Sequence, residues 1–263
     1  MAQGPAGSSS SVGGAVAIIP ARMGSVRFPG KVIADATGRP LIQHVYEAAQ
    51  AARSVVRTVV ATDDARVLAA VQGFGGEAVM TGEHPNGTSR LAEAAATLGL
   101  ESDRVIVNVQ GDEPEIEPRL IDLSVQALVE TGAEAATAAC PFGPDEQHDD
   151  PNVVKVVLDG RGMALYFSRA PIPHRRDDDD GPCARPLRHV GLYVYRRTFL
   201  EDYLRLPATP LEMTEKLEQL RILEHGRRIA VAVAAGVSRG IDTPEQYAAF
   251  VERWRAGGRG RAE

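Results

Sequence analysis

Short apolar runs alternate with amphipathic stretches through the first half of the chain. Short runs rich in valine, isoleucine and alanine are typical of buried strands, and apolar residues at helical spacing predict helices. We predict strands at residues 15–19, 55–61, 78–80, 104–109 and 135–139, the first ended by Pro20. We predict helices at residues 41–52, from the Thr62-Asp63-Asp64 cap to about residue 72, at 91–98 and at 118–130. This alternation predicts a parallel sheet covered by helices on both faces.

The pattern changes after residue 150. Residues 153–158 and 163–167 are joined by a glycine-rich turn that is typical of a hairpin, and residues 187–195 predict a returning strand. Further on we predict a helix at residues 210–223, a strand at 229–233 and a final helix that ends near Trp254. The fold class is therefore α/β, with a mixed sheet and a small antiparallel lobe at about residues 150–235.

Domain organisation follows from the same pattern. Residues 15–256 are predicted to form one domain, and residues 1–14 and 257–263 are predicted to be disordered tails. The tails are rich in glycine with serine or arginine and lack apolar periodicity, so we assign them no function.

Composition excludes several functions. The chain has 263 residues, 44% hydrophobic and 24% charged residues, and a net charge of −6, which is typical of a globular protein and argues against general nucleic-acid binding. No apolar stretch is long enough to span a membrane. Cys140 and Cys183 lack metal-site spacing, so we expect free thiols and a cytoplasmic protein.

A basic loop follows the first predicted strand. Arg22, Arg27 and Lys31 lie among glycines, and such a loop suits polyphosphate because its backbone can approach an anion closely. It is not a Walker A motif, because five residues separate Gly24 from Gly30 and Val32 replaces the metal-binding Ser or Thr. A dinucleotide-binding glycine motif is also absent.

Two acidic positions are candidate metal ligands. Asp112 follows the central strand that ends at residue 109, where open parallel sheets bind ligands, and could hold a phosphate-bound Mg²⁺. Asp242 precedes Thr-Pro-Glu, and local sequence favours a helix N-cap over a metal ligand.

In the loop at residues 84–90, Thr88 or Ser89 is the expected cap of the next helix. The four aspartates at 177–180 predict a mobile loop more than a metal site.

Seven motifs occur in order and together resemble one known family. They lie at residues 20–31, 87–90, 108–114, 166–169, 188–193, 217–221 and 242–245. In combination they resemble the CMP-Kdo synthetases, the 3-deoxy-manno-octulosonate cytidylyltransferases, along nearly the whole predicted domain. The resemblance implies a Rossmann-like nucleotidyltransferase fold and, through the antiparallel lobe, a homodimer.

The resemblance also implies the ligands and the site. CTP and a small acidic acceptor would be the substrates, and Mg²⁺ would be held by Asp112 and Asp242, against the local preference for a cap. The implied catalytic residues are Arg22, Lys31, Asp112 and Asp242. The implied CTP-binding residues are Ala21, Arg22, Ser25, Lys31, Gly87, Arg90 and Gln110, and the implied acceptor-binding residues are Gln110, Arg169, His189, Tyr193, Glu218 and Gln219.

Two departures from the family pattern keep the acceptor open. Ser89 replaces a common glutamate, and the segment between Pro173 and Leu187 is short and rich in aspartate. The acceptor is therefore Kdo or, alternatively, a small phosphonate such as phosphonoformate in a natural-product pathway. An arginine such as Arg169 offers either acid a bidentate contact.

The sequence identifies no dedicated general base. A sugar hydroxyl would be activated by the metal, and a phosphonate oxygen is already anionic. A non-catalytic nucleotide-binding module on the same fold is the rival from another class. Such a module is expected to have lost Lys31, Asp112 or Asp242, and the chain retains all three.

Overall fold

The computed structural model describes residues 14–25, 27–143, 146–176, 184–235 and 239–258. The strands are β1 (Ala15–Ala21), β2 (Val55–Thr62), β3 (Ala78–Met80), β4 (Val105–Val109), β5 (Ala135–Pro141), β6 (Lys155–Leu158), β7 (Ala164–Ser168), β8 (Leu187–Arg196) and β9 (Ile229–Val233). The helices are α1 (Leu41–Gln50), α2 (Ala65–Gly73), α3 (Gly87–Thr97), α4 (Pro118–Thr131), α5 (Arg197–Tyr203), α6 (Pro210–Glu215), α7 (Gln219–Glu224) and α8 (Pro244–Gly258). A 3-10 turn at Lys31–Ile33 lies between β1 and α1.

All described strands join one nine-stranded sheet. The order is β3-β2-β1-β4-β8-β5-β9, and the β6–β7 hairpin is attached through β8. Strands β1 to β4 are mutually parallel, β8 is antiparallel to both β4 and β5, and β9 is parallel to β5. The α/β fold class with a mixed sheet is therefore confirmed, and the predicted antiparallel lobe is continuous with the main sheet.

Two apolar clusters cover the two faces of the sheet. Alternate residues of β1 point to opposite sides, so that Ala17 and Ile19 join one cluster while Val16 and Ile18 join the other. The first cluster is completed by α1 and α4, and the second by α3, α5 and α7. Burial on both faces explains why β1 and β4 are mostly apolar in the sequence. It also fixes the carboxyl ends of β1 and β4 side by side.

Pro20 does not end the first strand, because β1 continues to Ala21. The pairing of β1 with β2 extends to Ala21, but its pairing with β4 stops at Ile18. One side of β1 is therefore open at Pro20, and a strand tolerates a missing N–H on an open side.

The predicted helix at residues 210–223 is two helices, α6 and α7. Lys216 ends α6 in the left-handed conformation, with φ 54°, and its N–H bonds back to Glu212 O. Leu211 and Met213 in α6 are exposed, although they share the apolar spacing of the predicted helix. Apolar spacing continues across the break, so periodicity alone could not reveal it. Helix α5 was not predicted.

Helix α3 begins at Gly87, four residues earlier than predicted. Its N-cap is Asn86, whose side-chain oxygen accepts from Ser89 N at 2.9 Å, so the assignment of the cap to Thr88 or Ser89 was wrong. An asparagine accepts this bond at least as well as serine or threonine. The earlier start frees the Thr88 hydroxyl for a contact in the site.

The remaining predictions concern the ends, the acidic loop and the cysteines. Helix α8 runs to Gly258, two residues into the predicted C-terminal tail. Residues 1–13, the aspartates 177–180 and Cys183 lie outside the described residues. Cys140 is a free, buried thiol whose pKa is raised by burial. None of the described helices combines the length and apolar character needed to cross a membrane.

A buried lysine holds the antiparallel hairpin in place. Lys155 is fully buried, and its ammonium donates to the backbone carbonyls of Asp150, Val153 and Arg169 at 2.8, 2.8 and 2.6 Å. Desolvation lowers its pKa. The three bonds join the segment before β6 to the residue that follows β7, and so fix the backbone of Arg169.

We expect Lys155→Met to lower the free energy of unfolding by about 2–4 kcal/mol, because three buried carbonyls lose their charged donor. Urea unfolding measures this loss. Arg161→Met, in the exposed turn of the same hairpin, is the control and should change stability by less than about 0.5 kcal/mol. Equal stabilities of the two variants would contradict a structural role for Lys155.

Candidate active site

Two contiguous cavities open at the carboxyl ends of β1 and β4. The first cavity, about 460 Å³, is lined by Pro20, Ala21, Arg22, Ser25, Arg27, Lys31, Val32, His84, Pro85, Asn86, Gly87, Arg90, Gln110, Gly111, Asp112, Glu218 and Asp242. The second cavity, about 420 Å³, is lined by Gly87, Thr88, Asn108, Gln110, Arg169, Tyr193, Tyr195, Tyr203, Lys216, Leu217, Glu218, Gln219 and Ile222. Gly87, Gln110 and Glu218 line both cavities. Open α/β sheets bind ligands at this edge.

Lys31 is the centre of the first cavity. Its ammonium donates to Asp112 Oδ2 at 2.7 Å, to the Ile241 carbonyl at 2.7 Å and to Asp242 Oδ1 at 3.1 Å. The Lys31 side chain is only 9% exposed. Gly30 precedes it at φ 72°, a conformation that a side chain would strain. Three segments distant in sequence therefore meet at one cation.

Asp112 is placed by a close backbone approach between β1 and β4. A Cβ at Gly111 would lie 2.9 Å from the Pro20 carbonyl oxygen, so only glycine fits before Asp112. The Asp112 carbonyl accepts from Ile241 N at 2.9 Å. This bond joins the end of β4 to the segment that leads into α8.

Asp242 is not the N-cap of α8, so the local preference for a cap was wrong. Thr243 Oγ1 accepts from Gln246 N at 3.3 Å, and Gln246 Oε1 accepts from the backbone N–H of Asp242 at 2.7 Å. The Asp242 carboxylate instead binds cations: Lys31, and Arg27 at 2.8 Å. Glutamine three residues after threonine satisfies the helix start and leaves the aspartate available.

The cluster has the ligands that a hard cation prefers. Oxygens of Asp112, Asp242 and Ile241 converge on one positive charge, and oxygen donors are what Mg²⁺ selects. Within the described ranges, no group of three or more His, Cys, Asp or Glu side chains converges. A Mg²⁺ here would therefore have two carboxylates and would take its remaining ligands from water and substrate, as is common for this ion.

The basic loop also supplies groups that are free for an anion. Arg22 is exposed and lines the first cavity without a hydrogen-bond or ion-pair partner among the described residues. Ser25 and Ala21 lie beside it on the same wall, and Ser25 Oγ accepts from Phe28 N at 3.4 Å. The wall of the first cavity next to Lys31 thus carries unneutralised charge.

Arg90 is a fixed cation in the opposite wall. It is 3% exposed, and its guanidinium donates to Asp63 Oδ2 at 2.6 Å and to Thr81 Oγ1 at 2.7 Å. Beside it, His84 Nε2 is hydrogen bonded to the Glu93 carboxylate, which also accepts from Gly82 N. The bond to His84 is the main cause that lowers the pKa of Glu93. His84 and Glu93 were not predicted as site residues, because nothing in their spacing distinguishes them from surface residues.

Arg169 lines the second cavity but is held by the backbone. Its guanidinium donates to the carbonyls of Glu215 at 2.7 Å, Pro151 at 2.9 Å and Lys216 at 3.4 Å. Glu215 accepts from Ser168 Oγ and from Arg169 N at 2.6 and 2.9 Å. Glu215 was missed because a helix glutamate is usually a solvated residue.

Tyr193 lines the second cavity, whereas His189 lines neither cavity. The His189 ring packs against Tyr193, with centroids 5.4 Å apart, and its Nε2 lies 2.9 Å from Thr137 Oγ1. The Thr137 hydroxyl donates its proton to the Leu192 carbonyl at 2.6 Å, so His189 Nε2 must carry the proton of the other bond. Desolvation by burial, followed by repulsion from Arg188, lowers the pKa of His189 to about 3.

Glu218 and Gln219 turn into the cavities directly after the break at Lys216. Glu218 Oε2 accepts from Thr88 Oγ1 at 3.1 Å. Although the Glu218 side chain is open to the cavities, enough protein surrounds the carboxylate that desolvation raises its pKa. Gln219 is buried, and its Nε2 has no hydrogen-bond partner among the described residues. A buried unsatisfied donor beside a cavity favours a polar ligand there.

Comparison with known proteins identifies the family to which this chain is similar. Residues 16–229 match the family model described as Cytidylyltransferase. The 3-deoxy-manno-octulosonate cytidylyltransferase of Syntrophobacter fumaroxidans is 52% identical over 239 residues, covering 90% of this chain and 95% of that protein. The protein of the same name from Geobacter sulfurreducens is 50% identical over 247 residues, covering 90% and 98%. The solved structure of CMP:2-keto-3-deoxy-manno-octonic acid synthetase complexed with CTP matches with TM-score 0.85 and 42% identity, covering 93% of this chain and 99% of that one.

The fold and the family together define the class of protein as a nucleotidyltransferase. The chain belongs to the cytidylyltransferase family, since the family model spans most of its sheet and the relatives align along nearly its whole length. Asp242 and α8 lie beyond residue 229 and so outside the family model. The structure is what joins them to Lys31.

The desolvated, neutral His189 predicts a pH-dependent stability. Its folded pKa of about 3 lies below the ordinary 6.5, so between these values the unfolded chain binds a proton that the folded chain does not. The free energy of unfolding should therefore fall with decreasing pH through this window, by up to about 1.4 kcal/mol per unit from this residue. Urea unfolding of wild type and His189→Gln at pH 7, 6 and 5 tests this. The wild-type advantage should shrink as pH falls, and parallel curves would contradict a buried neutral imidazole.

Proposed function

We propose that the protein transfers CMP from CTP to 3-deoxy-manno-octulosonate and releases pyrophosphate. The observation that supports this most is the convergence of Lys31, Asp112 and Asp242 in the first cavity, in a chain whose relatives are named 3-deoxy-manno-octulosonate cytidylyltransferases. The binding of CTP is supported by the match to a synthetase structure complexed with CTP.

In the proposed complex the first cavity holds CTP. Arg22 and Lys31 bind the triphosphate, Ala21 and Ser25 lie along it, and the start of α3 at Gly87 faces the nucleoside. Helix N-termini and basic loops both favour anions. Arg90 supplies positive charge from the opposite wall, where its guanidinium donates to Asp63 and Thr81.

Mg²⁺ on Asp112 and Asp242 would neutralise charge that develops on the phosphate oxygens during transfer. For Lys31 this requires a change of partner. Its ammonium now bridges the two carboxylates and would turn toward the phosphates when CTP binds. The contribution of Arg22 and Lys31 is then electrostatic and positional, since both would stabilise the departing pyrophosphate.

The second cavity would hold the acceptor. Gln110, Glu218 and Gln219 offer hydrogen bonds to several hydroxyls, Tyr193 forms the floor, and Arg169 carries the positive charge that an acidic sugar needs. His189 supports Tyr193 from behind and is not in the cavity lining. The free Nε2 of Gln219 favours a polyol acid, and the comparisons do not favour the phosphonate alternative. A non-catalytic nucleotide-binding module would not require Lys31, Asp112 and Asp242 together.

We extend the proposal to assembly and location. Among the described strands β7 pairs only with β6, and its Leu165 is 60% exposed. An open strand edge with an exposed leucine is suited to a second copy of the chain, so a homodimer is proposed. A cytoplasmic location follows from the use of CTP as the donor.

Replacing either aspartate should abolish transfer. We expect Asp112→Ala and Asp242→Ala each to lower kcat at saturating CTP by at least about 10²–10³-fold, since each removes a charge that acts on the triphosphate site. Asp202→Ala, at an exposed position of α5, is the control and should keep wild-type kcat. Far-ultraviolet circular dichroism checks that the variants are folded, and near-normal turnover in either site variant would contradict the assignment.

The acceptor is tested with purified protein, CTP and Mg²⁺. Pyrophosphate release should require Kdo, and phosphonoformate should give less than about a hundredth of that kcat/KM, because a small phosphonate leaves the hydrogen-bonding groups of the second cavity unpaired. Release with phosphonoformate but not Kdo would support the alternative acceptor. CTP binding without release for either acceptor would support a silent module.

A further inference from the structure

Glu218 lies at the boundary between the two cavities. Of the three residues that line both, Gly87 and Gln110 cannot ionise, so Glu218 is the single titratable group shared by both linings. If CTP occupies the first cavity and the acceptor the second, the new bond forms at this boundary. A group that takes the proton of the attacking hydroxyl has to lie there.

One hydrogen bond holds the Glu218 carboxylate, and another holds its backbone carbonyl. Thr88, in the first turn of α3, donates through Oγ1 to Glu218 Oε2, and Tyr203 OH donates to the Glu218 carbonyl at 3.3 Å. Oε1 has no hydrogen-bond partner among the described residues. The left-handed Lys216, just before, directs this turn into the cavities. One carboxylate oxygen is thus fixed while the other is available to a ligand.

The surroundings of Glu218 suit a proton acceptor. Desolvation is the largest influence on its pKa and raises it, whereas the Thr88 hydroxyl and Arg221 oppose the rise. Arg221 is already bound to Glu212 by two bonds of 2.7 and 2.5 Å, so it neutralises Glu218 only in part. The groups that interact electrostatically with Glu218 are Glu212, Arg221, Tyr193, Tyr195 and Tyr203. The cations Lys31, Arg169 and Lys216 line the same two cavities. The three tyrosines have raised pKa values through burial and stay neutral, so they do not compete as bases.

We infer that Glu218 is the general base of the reaction, an inference that rests on the proposed function. The acceptor hydroxyl gives its proton to Glu218 Oε1 as its oxygen forms a bond to the α-phosphorus of CTP. The bond from that phosphorus to the bridging oxygen breaks, and pyrophosphate leaves with the electron pair. Glu218 then releases the proton to solvent. Thr88 is a positioning residue that holds the carboxylate and tunes its proton affinity.

Glu218→Gln tests the base directly, because glutamine keeps the shape and cannot take the proton. Single-turnover transfer from CTP to Kdo, with enzyme in excess over CTP, should be slowed about 10²–10⁴-fold. The affinity for CTP, measured by calorimetry without acceptor, should change by less than about threefold. The wild-type rate should fall as pH drops through the pKa of Glu218. This fall, the acidic limb of the pH–rate profile, should be absent from the variant.

Thr88→Val provides a second readout that a purely structural role would not give. Valine removes the hydroxyl that stabilises the charged carboxylate, so the pKa of Glu218 should rise and the acidic limb should move to higher pH. Gln219→Ala is the matched control from the neighbouring position. It should raise KM for Kdo and leave the midpoint of the limb unchanged, since Gln219 only binds.

The outcomes separate the two proposals. A wild-type enzyme that is active with Kdo, combined with a Glu218→Gln variant that keeps the acidic limb or loses only acceptor affinity, would overturn the base and leave the proposed function intact. Wild-type protein that releases no pyrophosphate with Kdo would overturn the proposed function and this assignment with it. The assignment of Glu218 as the base is supported if Glu218→Gln is slow and lacks the acidic limb, and if Thr88→Val shifts that limb to higher pH.

Discussion

The structure depends on one buried ammonium group. Lys31 is held by two carboxylates and a carbonyl from segments 81 and about 210 residues away in sequence. An unpaired charge at this depth would be costly, and two unpaired carboxylates facing each other would repel. The ammonium of Lys31 and the carboxylates of the two aspartates therefore neutralise one another. Their contact holds the basic loop, the end of β4 and the start of α8 together. The same mutual neutralisation preforms a cleft that can exchange one cation for another when a triphosphate enters.

The sheet explains why this contact can exist. β1 and β4 are adjacent and parallel, so the loops that follow them leave from the same edge. Gly111 permits the close approach of the two loops, and Asp112 is bonded through its backbone to Ile241. From the far end of the chain, α8 closes the cluster: Tyr247 packs on Phe28 of the basic loop, and its hydroxyl accepts from Ala36 N at 2.8 Å. The C-terminal helix is thus part of the site although it lies outside the family model.

Much of the fold was predictable because its central strands are buried on both faces. The runs that became β1, β2 and β4 are mostly apolar, with exceptions such as Arg57 and Thr58 in β2 and Asn108 in β4, and such runs have few alternatives. Lys216 marks a limit of prediction from apolar spacing. The spacing of residues 210–223 is compatible with one helix, but the left-handed conformation of Lys216 divides the segment into α6 and α7. That residue also turns Glu218 into the cavities, so the most consequential feature of the acceptor side was hidden from the sequence.

For the site, local sequence and tertiary structure disagreed at Asp242. Asp before Thr-Pro-Glu is a good cap locally, yet Thr243 and Gln246 satisfy the helix start and leave the carboxylate to Lys31 and Arg27. Only the motif resemblance indicated Asp242 as a ligand. His189 shows the reverse, since the resemblance placed it in the acceptor pocket and the structure places it behind Tyr193. Contacts made across the sheet place both side chains, and these contacts are not encoded in neighbouring residues.

The central claim is that Lys31, Asp112 and Asp242 form a cation site that becomes the metal-triphosphate site. Calorimetric titration of CTP with and without Mg²⁺, into wild type and into an Asp112→Ala/Asp242→Ala double variant, tests it most directly. We predict that Mg²⁺ strengthens CTP binding to wild type at least tenfold, and that the double variant loses this dependence while it still binds metal-free CTP through Arg22 and Lys31. An equal Mg²⁺ dependence in both proteins would contradict the account.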